Sequence, residues 1–238
     1  MRTINSLKHA AARTLRRVEW LRRLRRAIWP APTVPFVSSD QYWKERYAQG
    51  GNSGEGSYGP LADYKARFIN DFCAEKGIAS AIEFGCGDGN QASKLEVARY
   101  RGVDISEKCI AWARRKFRRA SWEFLTLAEY HARGPNRESE LGLSLDVTYH
   151  LIEDEVYRAY LDDLFNAARR YVLIYSSNFD HFDPAYPHVR HRPVVDDAVA
   201  GRPQWRFVAT EGSPFYRAPD EQSYGSFAQF HIFERAAG

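Results

Sequence analysis

At 238 residues and 44% hydrophobic content, the chain suits one domain of ordinary size with a short appendage. No apolar run approaches the roughly 18 residues that a membrane span needs, and the first thirty residues lack a secretory signal. The net charge of +4 is uneven: residues 1–30 hold nine Lys or Arg against Glu19, so the remaining 208 residues are mildly acidic. A nucleic-acid reader carries its basic patch on the folded body, so no nucleic-acid partner is expected.

In chain order, Ile4, Leu7, Ala11, Leu15, Val18, Leu21, Leu24 and Ile28 recur at helical spacing, with arginines on the other face. That pattern predicts a basic amphipathic helix over residues 1–29. It suits an anionic membrane surface or a protein partner, resembles an organellar transit peptide, and equally suits a helix packed on its own body. Trp29-Pro30-Ala31-Pro32 and Pro35 then stop it and begin a linker. Asp40 is expected to cap a short helix through Tyr47. Five glycines follow in the ten residues from Gly50 to Gly59. Leu61, Tyr64, Phe68, Ile69 and Phe72 then mark a helix closed near Gly77. Residues 30–77 thus form a linker, a glycine-rich lid and a first helix ahead of a core over 78–238, whose substrate-side insertion lies at about 178–204.

Within that core, strands are expected at Ser80–Phe84, Tyr100–Asp104, Ser121–Leu125, Leu143–Val147, Arg170–Ser176, Trp205–Ala209 and Phe227–Glu234. Helices are expected at about 88–98, 106–119 and 154–168. This alternation predicts an α/β fold: a Rossmann-like, seven-stranded, mainly parallel sheet with helices on both faces and an antiparallel edge. Cys73, Cys86 and Cys109 share no metal-ligand spacing, and their odd number argues against a disulfide framework. A reducing cytoplasm, peripheral to the membrane if the basic helix binds there, and no metal are the expectations.

The most informative stretch is Ala81-Ile82-Glu83-Phe84-Gly85-Cys86-Gly87-Asp88-Gly89, an apolar strand running into a Gly-x-Gly-x-Gly turn that is expected to open a helix. Glycines let backbone approach a ligand closely, and a helix start would offer free N–H groups. Asp104 ends the next strand nineteen residues after Gly85, where a carboxylate can accept from ribose hydroxyls; it can also serve as a helix cap. Asp146 ends the fourth strand beside the same crevice. The spacing misses the dinucleotide fingerprint Gly-x-Gly-x-x-Gly, and no lysine follows the glycine-rich segment as a P-loop requires.

Together, Glu83–Gly89, Gly102-Val103-Asp104-Ile105-Ser106 and Leu145-Asp146-Val147-Thr148-Tyr149-His150 resemble three motifs of class I S-adenosylmethionine-dependent methyltransferases. Tyr42-Trp43-Lys44-Glu45-Arg46-Tyr47 and the glycine-rich segment are similar to the lid of such enzymes. The resemblance implies S-adenosyl-L-methionine as cofactor, lined by Gly85, Gly87 and Gly89. It implies that Asp104 holds the ribose with Ile105 beside it, and that Asp146 sits near the methionine amine or the acceptor. Tyr47 belongs to the lid, and Arg46 pairs with the cofactor carboxylate or lies at the surface. Glu83 orients either the glycine turn or the ligand amine. The third strand ends in Leu125-Thr126 where the family often has an acid, leaving Thr126 or nearby backbone to read adenine.

His150 follows the fourth strand, where donor and acceptor meet; it is a candidate general base beside Asp146, or a ring bonded to backbone. If His188-Val189-Arg190-His191-Arg192 is extended, His188, Arg190 and Arg192 share one side and suit a carboxylate, phosphate or polyhydroxylated acceptor, or merely solvent. The expected activity is methyl transfer, as O-methylation, to a small-molecule or glycan acceptor. The alternative is a non-catalytic cofactor-binding module docked through residues 1–29.

Overall fold

A computed structural model describes residues 36–134, 139–217 and 226–236. The basic segment 1–29 therefore lies outside the described residues. Phe36–Gly238 forms one compact unit.

Ser38, rather than Asp40, caps the first helix, α1 (Ser39–Ala48), its side chain accepting from the Gln41 N–H. Asp40 instead pairs with Lys44 one turn on. Pro60 opens α2 (Gly59–Lys76), and Gly77 closes it in the left-handed conformation that glycine adopts without a Cβ penalty. Seven strands follow in the sheet: β1 (Ser80–Phe84), β2 (Arg99–Asp104), β3 (Trp122–Thr126), β4 (Ser139–Leu145), β5 (Ala168–Ser176), β8 (Trp205–Glu211) and β9 (Gln229–Arg235). Their order is β3-β2-β1-β4-β5-β9-β8, with β9 antiparallel to both neighbours and the rest parallel. All seven expected strands are present.

Alternation along each strand divides the core into two layers. On one face Ala81, Tyr100, Leu143, Leu173 and Phe230 pack with Ile69 and Phe72 of α2 and with Ile110 of α3 (Glu107–Lys116). On the other, Ile82, Phe84, Val172, Ile174 and Phe233 meet α4 (Leu127–Ala132), α5 (Asp154–Ala167) and α6 (Val194–Val199). β1 is buried throughout, as a central parallel strand must be. The insertion carries a two-residue hairpin, β6 (His181–Phe182) with β7 (Arg190–His191).

One expected element is missing. Residues 88–98 form no α-helix, only a short 3₁₀ turn at Ala92–Lys94. Gly85, Gly87 and Gly89 have φ of +76°, +54° and +69°, which no helix continues. Beyond them, Asp88 accepts from the Asn90 N–H and Ser93 Oγ donates to the Asn90 carbonyl, local bonds that compete with a helical ladder. The expected helix start, with its free N–H groups, is therefore not there to meet a ligand. Among the described residues no helix is long and apolar enough to cross a membrane.

Candidate active site

The parallel strands deliver β1, β2 and β4 ends to one cleft, whose walls include Phe84, Gly85, Asp104, Ile105, Leu127, Leu145, Asp146 and His150. Asp104 is the organising acid of this cleft. Its Oδ2 accepts from the Gly87 N–H at 2.8 Å and its Oδ1 from the Ser106 N–H at 2.9 Å. Burial pushes its pKa up, and those two backbone donors act against that. Each carboxylate oxygen has two lone pairs, so a further acceptor position remains on each.

A strap folds over this cleft. Tyr47 and Trp43 from α1 line it together with Ser53 and Ser57 from the glycine-rich segment. The strap is tied to the glycine turn by a reciprocal pair: Ser53 N–H donates to Asp88 Oδ2 at 3.1 Å, and Asp88 N–H donates to Ser53 Oγ at 3.0 Å. Tyr58 Oη adds a second donor to Asp88, and Asn90 Nδ2 donates to the Ser57 carbonyl. Gly87 is glycine for this reason. A Cβ there would lie 2.3 Å from Ser53 Oγ and 2.7 Å from Tyr47 Oη. A Cβ on Gly85 would strike Val147, and one on Gly89 would strike Phe117, so protein atoms already occupy those directions.

Asp146 is the single non-glycine residue with positive φ, +60°, among the described residues. Lys65 Nζ of α2 donates to its Oδ2 at 2.5 Å and Tyr149 Oη to its Oδ1 at 2.7 Å. The Lys65 side chain has no solvent exposure, and it lies 5.3 Å from the Tyr175 ring centroid. Sequence reading missed it, although a signal was present: Lys65 falls on the buried stripe Ala62, Lys65, Ala66, Ile69 of α2. His150 Nδ1 lies 3.0 Å from the His188 carbonyl. A carbonyl only accepts, so the neutral ring carries its proton on Nδ1 and leaves the Nε2 lone pair free to accept. Burial pushes His150 down to about 4. Trp43 stands edge-on to this ring at 4.9 Å.

Several expected site residues stand elsewhere. Glu83 lies on the α2 side of the sheet, where it accepts from Tyr100 Oη at 2.5 Å; burial raises it to about 7. Thr126 caps α4 in a reciprocal box with Glu129, and the neighbouring Leu127 lines the cleft instead. Arg46 donates to the Asn52 carbonyl and lies over Trp43, bracing the strap. His188 stacks on Tyr42 at 4.8 Å. Arg190 and Arg192 do share a side, but both pair with Asp154, and Arg192 also donates to the carbonyls of Leu151 and Ile152. They hold the loop that follows His150 rather than facing the cleft. Among the described residues no His, Cys, Asp or Glu cluster could hold a metal ion.

Residues 82–170 match the family model described as a methyltransferase domain. The N-methyltransferase NodS from Bradyrhizobium japonicum WM9, in complex with S-adenosyl-L-homocysteine, superposes with a TM-score of 0.61 at 13% identity, over 84% of this chain and 100% of that one. A magnesium protoporphyrin IX methyltransferase from Synechocystis PCC 6803 with bound S-adenosylmethionine gives 0.54 at 15% identity, over 86% and 100%. A S-adenosylmethionine-dependent methyltransferase from Anabaena variabilis gives 0.59 at 13%, over 87% and 98%. Residues 82–170 are thus similar to a methyltransferase domain, and the fold is the one that S-adenosylmethionine-dependent methyltransferases share. No curated protein sequence matches it.

The donor set of the cleft suits S-adenosylmethionine. Phe84, Ile105, Leu127 and Leu145 supply apolar surface for a purine, and Asp104 supplies acceptors for a vicinal diol. Asp104 and Asp146 are the two acids in the lining, the right charge for a ligand bearing an ammonium and a sulfonium. Arg46 stays outside that lining.

Proposed function

We propose that this chain is a class I S-adenosylmethionine-dependent methyltransferase that transfers the methyl group to a hydroxyl of a small-molecule or glycan acceptor, which approaches from the Trp43 and His150 side. The observation that carries it is the convergence of Gly85, Asp104, Asp146 and His150 on one cleft. In this reading Gly85 and Gly87 hold backbone close to the cofactor, Asp104 receives the ribose, Ile105 flanks the purine and Asp146 receives the methionine amine. S-adenosylmethionine supplies an electrophilic methyl on sulfur, displaced in line, so the chain's work is alignment and exclusion of water. His150 presents Nε2 to the acceptor hydroxyl and takes its proton as the new bond forms, a contribution of roughly 10²- to 10⁴-fold. Trp43 walls the acceptor side.

Gly89 and Thr126 serve the fold around the cofactor, and Tyr47 closes the cleft through Ser53. With the strap down, the free interior is about 100 Å³. Ligand clefts start at roughly 300 Å³, so the strap lifts to admit a nucleoside. Residues 1–29, by their sequence pattern alone, provide a contact to an anionic membrane or a protein partner.

The test is calorimetry with S-adenosylmethionine on wild type and Asp104→Ala, followed by radiolabelled methyl transfer into fractionated cell extract. Wild type should bind and label a small acceptor through an alkali-stable ether. Loss of binding only in the variant supports the reading. No binding by wild type, or label recovered solely on nitrogen, would overturn it.

A further inference from the structure

A lysine without solvent exposure is costly unless it is paired and hydrogen-bonded, and a buried ion pair adds little stability that two apolar side chains would not. Lys65 therefore asks for a reason beyond packing. It sits among Ala62, Ala66 and Ile69 on the stripe that faces the sheet, where a leucine would serve the core. Its partner is the acid that lines the cleft. The Asp146 side chain is 13% exposed, and its backbone holds a left-handed conformation that is unfavourable for a residue with a Cβ. Three neighbours fix it there. Lys65 Nζ holds Oδ2 from below, Tyr149 Oη holds Oδ1, and Gly56 of the strap lies so near that a Cβ on it would be 2.6 Å from Oδ2.

We propose that Lys65 is a positioning residue for the amino-acid end of the cofactor. It holds the Asp146 carboxylate aimed into the cleft, where the carboxylate receives the ligand ammonium. This rests on the assignment of Asp146 to the methionine amine made above. Lys65 does not line the cleft and acts through Asp146. Among the described residues, few other charged or titratable groups surround the pair. Glu83 on β1 shares the field of Lys65, Tyr175 on β5 and Tyr149 beside Asp146 remain neutral phenols, and His150 is uncharged near neutral pH. Lys65 is thus the cation that balances Asp146, and its loss would strand a carboxylate in a half-closed apolar site.

The experiment compares two probes by calorimetry: S-adenosyl-L-homocysteine, and 5′-methylthioadenosine, which shares the nucleoside but lacks the amino-acid end. Lys65→Met should weaken S-adenosyl-L-homocysteine by roughly 10- to 100-fold, the range for one hydrogen bond to a charged group. It should leave 5′-methylthioadenosine within about twofold of wild type. Lys65→Arg should restore part of the loss, since it returns the charge but not the geometry. Asp146→Asn should show the same selectivity. If Lys65→Met fails to fold, as judged by circular dichroism, the double variant Lys65→Met/Asp146→Leu removes both charges and should keep only 5′-methylthioadenosine affinity. Equal weakening of both probes by Lys65→Met (or the double variant) would make the lysine purely structural and overturn the proposal. So would full S-adenosyl-L-homocysteine affinity in Lys65→Met while Asp146→Asn loses it, which leaves the Asp146 assignment standing. Unchanged affinity in Asp146→Asn removes that assignment itself.

Discussion

His150 illustrates how one backbone carbonyl sets the chemistry of a side chain. The His188 carbonyl fixes the proton on Nδ1, and burial drives the pKa down to about 4, so the ring is an uncharged acceptor at neutral pH. A free imidazole changes charge near 6.5. If His150 assists the acceptor, the acid limb of the kcat/KM profile should fall near pH 4 and not near 6.5, because only below its own pKa does the ring lose its acceptor. His150→Gln should lower turnover roughly 10²- to 10⁴-fold without changing S-adenosyl-L-homocysteine affinity. A profile that bends at 6.5 would mean that the catalytic proton goes elsewhere. Thr126 shows the reverse case, a residue whose polar atoms are spent on the fold. Thr126→Ala should cost about 1 kcal/mol of stability through the lost helix cap, read by urea unfolding, and leave nucleoside affinity unchanged.

The next scale is the strap and the turn beneath it. Gly87→Ala would place a methyl group against Ser53 Oγ and Tyr47 Oη at a backbone φ of +54°. The sheet should survive, at a cost of about 1–3 kcal/mol, while the strap is pushed off its seat. Limited proteolysis should then cut within residues 50–58 faster than in wild type, and cofactor should dissociate sooner. An unaltered cleavage rate would place the strap's hold elsewhere. β1 is legible in the sequence because its apolar residues Ala81, Ile82 and Phe84 run straight into Gly85. The absence of the expected helix over 88–98 was not legible, because the positive φ of Gly87 and Gly89 is a property of the folded turn. At six residues each, α4 and α6 are too short to display a period. Asp104 and Asp146 were legible from their place at strand ends. Lys65 was passed over because a lysine in a helix is ordinarily read as its wet face, and only the packing of α2 on the sheet turns it inward. Arg190 and Arg192 were read from the spacing that puts them together, which says nothing of the acid waiting on α5.

Taken whole, the molecule keeps at least three histidines neutral inside it among the described residues. His150, His191 and His231 are each pushed down to about 4 by burial. An unfolded chain protonates its histidines near 6.5, so as pH falls through 6.5 the unfolded state gains protons that the native state refuses. Stability is therefore full above pH 6.5, declines on the way down, and loses this contribution once pH passes below about 4. The unfolding free energy read from urea titrations should drop between pH 7 and pH 4.5 by an amount on the order of a few kcal/mol, with the midpoint falling accordingly. A midpoint constant across that window would show that these rings titrate as exposed ones.

The Ser53–Asp88 pair has a consequence for how such a chain can change over evolutionary time. Each partner donates its own main-chain N–H and accepts at its side chain, so neither the cover nor the loop it rests on owns the contact. A drift in one segment spoils the seat of the other. Residues 50–58 and 85–90 should therefore be inherited as a matched set, and grafting either alone from a sister protein should yield a door that does not meet its frame.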